Sequence, residues 1–183
     1  MVVVATAPGN AARSGVPALV EVIMLSAGSG TLRFRTRIAA LADGAHPDAL
    51  AHQLAGFGDR RDPASLSHST SWRFADSRIV LTYVALPDPQ PDAATLEVPL
   101  DATARGADPL APTPQEIRPV DVAAHACRHL AFLHRTDPVV AAAAAREPVL
   151  WQLVDRFVPG VAGLLTAAPG PGAAARTAAG SGR

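Results

Sequence analysis

The side chains of this sequence best suited to chemistry crowd one short segment: His125, Cys127 and His129, with His134 nearby. On a helix, His125 and His129 are four residues apart and share a face, a spacing that can clip a divalent metal. Cys127 lies about 160° around such a helix from His129 at ~100° per residue, so a regular helix keeps it out of that set. No Glu follows the first His, so the zinc-protease pattern is absent. His68 is the natural distant third ligand. His129 also falls on an apolar stripe, where the expectation is a buried imidazole hydrogen-bonded to a neighbouring strand. No cofactor is implied.

Other nucleophiles are poorly placed. Ser67, Ser69 and Ser71 surround His68, but neighbours along a strand point to opposite sides, so His68 cannot serve as their base. No G-x-S-x-G elbow exists in the chain. These serines read as a solvated or cross-strand hydroxyl face. Cys127 has histidines only at positions facing away from it, and reads as a small core or surface thiol. Arg33, Arg35 and Arg37 form a stripe of alternate residues. If that stripe meets the face carrying Ser67, Ser69, Ser71 and Arg73, guanidiniums and hydroxyls converge to suit a phosphate or carboxylate. The competing expectation is an outer face neutralised by Glu21 and nearby Asp residues.

The elements that must position these groups centre on Leu66–Leu86. Two runs of β-branched and aromatic residues flank Ala75-Asp76-Ser77 and read as a hairpin. In the first run Leu66, His68, Thr70, Trp72 and Phe74 share one face under strict alternation. The second run is apolar on both faces and reads as a doubly buried central strand. Ahead of it, strands are expected at about Leu19–Leu25 and Thr31–Ile38, joined by the turn Ser26–Gly30. In the second of these, Leu32, Phe34 and Ile38 oppose the arginines. His46-Pro47-Asp48 opens a short helix through about Phe57, with Leu50, Leu54 and Phe57 at helical spacing. Thr95–Leu100 is a short edge strand limited by Pro99, and 101–118 a long loop. Pro119, Pro138 and Pro148 each sit where a first helical turn accepts proline. They start helices to about Arg135, to about Ala145, and through a stripe of Val149, Leu150, Leu153, Val154 and Phe157.

Composition bounds the rest. With 183 residues and 49% hydrophobic content the chain can bury one core. Its 16 acidic residues balance 16 basic ones, all arginine, which removes the global electrostatic case for nucleic acid or an anionic membrane. Cys127 alone allows no intrachain disulfide and fits a reducing compartment. No run reaches the roughly 18–20 apolar residues of a membrane span, and the N-terminus makes a poor secretory signal. The expectation is a soluble, cytoplasmic protein. The order of two strands, a short helix, a hairpin and C-terminal helices resembles Nudix-type α+β folds. That likeness would imply a Glu-rich metal-binding helix, G-x5-E-x7-R-E-U-x-E-E-x-G-U. Only the scattered Glu21, Glu97, Glu116 and Glu147 are present, so it implies no pyrophosphatase chemistry.

The sequence therefore specifies an α+β domain over 17–166, between a flexible arm at 1–16 and a disordered Ala/Gly/Pro-rich tail at 167–183. Its antiparallel β-sheet has about four to five strands, one short inserted helix and two to three C-terminal helices packed on one face. The inner sheet face is expected to carry Trp72, Phe74 and the 79–86 aliphatics against Leu130, Leu133, Leu150 and Leu153. The site is expected where His68, Trp72 and His129 meet, with Arg73 and Arg128 as anion-binding residues. The function expected is a non-catalytic module for a small anionic ligand or a protein partner. The alternative is a small hydrolase or transferase with His68 and His129 as acid–base groups or metal ligands. One sequence does not give the oligomeric state.

Overall fold

The computed structural model describes residues 16–58, 62–93, 96–102, 104, 114 and 116–161. The expected tail, and all of the expected arm except residue 16, lie outside them, as does most of the 101–118 loop.

Two hairpins build the sheet. Strands β1 (Ala18–Gly28) and β2 (Thr31–Ala40) are antiparallel and joined at Ser29-Gly30, both with positive φ. Strands β3 (Leu66–Ala75) and β4 (Arg78–Leu86) pair likewise through Asp76-Ser77, again both with positive φ. Two consecutive left-handed residues match the right-handed twist of the flanking strands, which is why such short turns close hairpins. The short strand β5 (Leu96–Glu97) adds to β2, giving an open sheet of order β3-β4-β1-β2-β5. The pair at its centre, β1 and β4, is parallel, and the remainder is antiparallel. Parallel neighbours need a crossover connection, supplied here by helix α1 (Pro47–Ala55). Strand β4 is buried along most of its length, as its two-faced apolar run requires.

The two sheet faces carry separate cores. On one, Val20, Val22, Met24, Tyr83 and Ala85 pack with Ala51 and Ala55 of α1, flanked by the partly buried Leu50, Leu54 and Phe57. On the other, Ile23, Leu25, Leu32, Phe34, Val84 and Leu86 meet three C-terminal helices: α2 (Pro119–Thr136), α3 (Pro138–Ala144) and α4 (Pro148–Val154). Pro119 occupies the first turn of α2, and Asp121 accepts from the Arg118 backbone N–H at 3.0 Å. An acidic group there also complements the helix dipole. Asp137 ends α2 and caps α3, accepting from Val139 N at 2.8 Å. Leu130 and Leu150 are buried, with Leu133 and Leu153 packed at the margin. In α4 the stripe includes Trp151, 2% exposed, while Val149 is turned to solvent.

The main departure from the sequence expectation lies in β3. Its register with β4 shifts between Ser69 and Ser71, so a bulge absorbs Thr70. Each side of a bulge keeps the period of two, but the extra residue exchanges the faces beyond it. Before the bulge, His68 lies opposite Val84 on the helix-covered face. After it, Trp72 lies opposite Leu81 and Phe74 opposite Ile79, on the α1 side. Trp72 and Phe74 are consequently 70% and 60% exposed and are not core residues.

Candidate functional site

The expected meeting of His68 and His129 is present, without Trp72. His68 projects from β3 toward α2, where the Nε2 atoms of the two rings stand 3.3 Å apart. The rings are inclined by only 19°, with centroids 5.3 Å apart. Phe132, one turn further along α2, stacks against His129 at 6.5 Å. Sequence reasoning missed it, although its i+3 spacing from His129 was the signal.

Burial biases all three central histidines toward the neutral form. It lowers the pKa of His68 against the opposing charge of Asp137. It lowers that of His125, with Arg128 adding to the effect. For His129, burial acts together with His68 and His125, opposed by the Gly160 backbone. Neutral imidazoles are hydrogen-bond donors and acceptors in one ring, and are the form that binds metals. Two 3.3 Å-separated nitrogens can share one proton as N–H···N, but they repel if both rings are protonated.

Arg128, one residue before His129, is only partly exposed, and its Nε is buried without a hydrogen-bond partner. His129 Nδ1 is the other such side-chain atom among the described residues. Arg35 and Arg73, also partly buried, are spent differently. Arg35 donates through Nε and Nη2 to both oxygens of Asp88 at 2.6 Å. Burial alone would raise the Asp88 carboxyl, but Arg35, the Gln90 amide and the charge of Arg37 hold it below its ordinary value. Arg73 forks onto Glu21 at 2.7 and 3.0 Å, and Thr82 joins both. Arg73 is therefore a structural ion-pair partner, with Glu21 7% exposed.

The imagined convergence of arginines and serines does not form. Arg33, Arg35 and Arg37 lie on the α1 side of β2, whereas Ser71 and Arg73 lie on the opposite face of β3. Ser67 and Ser69 share the α1 side but are separated from β2 by β4 and β1. Arg37 instead donates to the Leu54 carbonyl at 3.1 Å and to Gln90 at 3.3 Å. Cys127 is fully buried, and burial pushes its thiol up, away from nucleophilic use. Among the described residues no three His, Cys, Asp or Glu side chains converge as a ligand set. His134 belongs elsewhere, against Asp155 at 2.9 Å and the Trp151 ring at 4.9 Å. A shallow groove of about 200 Å³ between β5 and α4, lined by Thr31, Glu97, Leu153 and Phe157, touches none of the candidate residues.

No helix among the described residues is long and apolar enough to cross a membrane. No family model, curated protein or solved structure gives a significant match to this chain.

Proposed function

We propose that this domain is a non-catalytic module that binds a small anionic ligand, a phosphate or carboxylate, at the seam between β3 and α2. One observation carries the reading. Arg128 is a partly buried cation whose Nε is buried without a hydrogen-bond partner. Charges drawn out of water are normally paired, as Arg35 and Arg73 are here. An anion reaching the guanidinium would supply that pairing. The neutral overall charge leaves no case for a nucleic-acid partner, and the single buried cysteine suits a cytoplasmic setting.

Isothermal titration of the chelator-treated chain with inorganic phosphate and with malonate tests this. Saturable binding of at least one of them is expected. Arg128→Met should weaken it about tenfold, the loss of one charge-assisted contact worth ~1.4 kcal/mol. Absence of saturable binding, or binding indifferent to Arg128→Met, refutes the reading.

A small hydrolase or transferase is the second reading, because nitrogens 3.3 Å apart are close enough to share a proton. Its anion clamp reduces to Arg128, since Arg73 is committed to Glu21. A protein-docking role draws support from the opposite face, where Trp72 and Phe74 stand exposed on an edge strand.

A further inference from the structure

We infer that His68 and His129 form a two-histidine site for a divalent first-row metal such as zinc, clipping β3 to α2. The inference rests on the pair being a ligand site, as in the preceding reading, and adds the ligand's chemistry. Two imidazole nitrogens held tetrahedrally by zinc at ~2.0–2.1 Å are separated by about 3.3–3.4 Å. The Nε2 atoms here are 3.3 Å apart. The rings are nearly parallel, with centroids much further apart than the nitrogens. Both Nε2 atoms therefore lie on the facing edges of their rings, where one ion can meet two lone pairs.

The rest of the surroundings suits the same role. Metal binding through Nε2 requires each neutral ring to adopt the tautomer that carries its single N–H on Nδ1. For His129 that atom is buried and makes no hydrogen bond among the described residues. His125, though it shares the helix face, joins no convergent set of three ligands. The site thus has two protein ligands and two positions for exogenous ones. Water or an exogenous anion would fill these. Imidazole ligands favour copper, nickel and zinc over magnesium and calcium.

The test is a zinc titration of the full chain at pH 7.5 in phosphate-free buffer, followed by calorimetry and by thermal unfolding. One zinc per chain is expected, with a raised Tm, and cobalt in its place should give the visible bands of a four-coordinate ion. His68→Asn and His129→Asn should each abolish the response, while His125→Asn keeps binding within about threefold. Far-UV circular dichroism establishes that each variant is folded. A wild type without saturable zinc binding overturns the inference. So does binding that survives in both His68→Asn and His129→Asn. If the chelated chain binds phosphate but zinc fails, the metal is wrong and the anion reading stands. Zinc binding without any anion response reverses that outcome.

Discussion

Replacing Asp88 by Asn removes one charge from a pair that the fold keeps almost wholly from water. The Asp88 side chain is 0% exposed and that of Arg35 11%. Both carboxylate oxygens accept from Arg35 at 2.6 Å, and Oδ1 also accepts from the Gln90 amide at 2.9 Å. Breaking a buried pair from one side costs about 3–5 kcal/mol, because the surviving charge is left without compensation. Asn keeps one acceptor oxygen, and a retained hydrogen bond recovers about 1 kcal/mol. The expected loss is therefore about 3 kcal/mol at pH 7, read from urea unfolding followed by circular dichroism. Arg35→Met in the same chain should recover most of it, since the orphaned cation is then gone. Acid supplies a second readout. The folded carboxyl titrates below its ordinary value of 3.8, so its contribution is full above that value and disappears as pH falls through the lower one. The gap between wild type and Asp88→Asn must narrow below about pH 4. A loss under 1 kcal/mol at pH 7, or a gap that widens in acid, refutes the account.

The two tryptophans should separate cleanly by mutation. Trp151→Ala removes a ring that is 2% exposed and is expected to cost about 3–5 kcal/mol, whereas Trp72→Ala, at 70% exposure, should change stability by less than about 0.5 kcal/mol in the same urea assay. A comparable loss from both would contradict the face exchange in β3. Cys127, with its thiol buried and pushed up, should resist a thiol-specific disulfide reagent at pH 8 in the folded chain and react once the chain is unfolded; prompt native reaction would show that α2 opens readily from the sheet.

Local signals in the sequence carried well. The β3–β4 hairpin, the alternation of Leu32 and Phe34 with arginines, and three proline-started helices all follow from short-range chemistry, and all are present. The approach of His68 to His129 was also legible, because each lies on the core-facing side of its element. What the sequence concealed depended on distant partners. Nothing in the local polar run marks Thr70 as the extra residue, so strict alternation sent Trp72 and Phe74 to the wrong face. Asp88 lies in a proline-rich stretch with no periodicity to mark a buried residue, yet it is buried against Arg35, 53 residues away. Trp151 escaped because α4 begins directly at Pro148, and a seven-residue helix gives too little periodicity to fix its buried side.

The bulge in β3 also has an intelligible reason. Glu21 sits in the middle of the sheet, in register with Thr82 and almost without solvent contact. A carboxylate there is tolerable only with a cation and hydrogen bonds around it. On β3 the available cation is Arg73, but a regular strand that points His68 toward α2 would point Arg73 the other way, because their positions differ by an odd number. Inserting Thr70 as the extra residue resolves the conflict. His68 keeps its place against His129, and Arg73 arrives on the same face to fork onto Glu21. Thr70 itself stays buried, its hydroxyl donating to the Thr82 carbonyl at 3.3 Å. The cost is the exposure of Trp72 and Phe74, which the same shift turns outward on the α1 side. The histidine pair and the exposed aromatics are thus two consequences of one backbone irregularity, and the buried Glu21–Arg73 pair is the interaction that stabilises it.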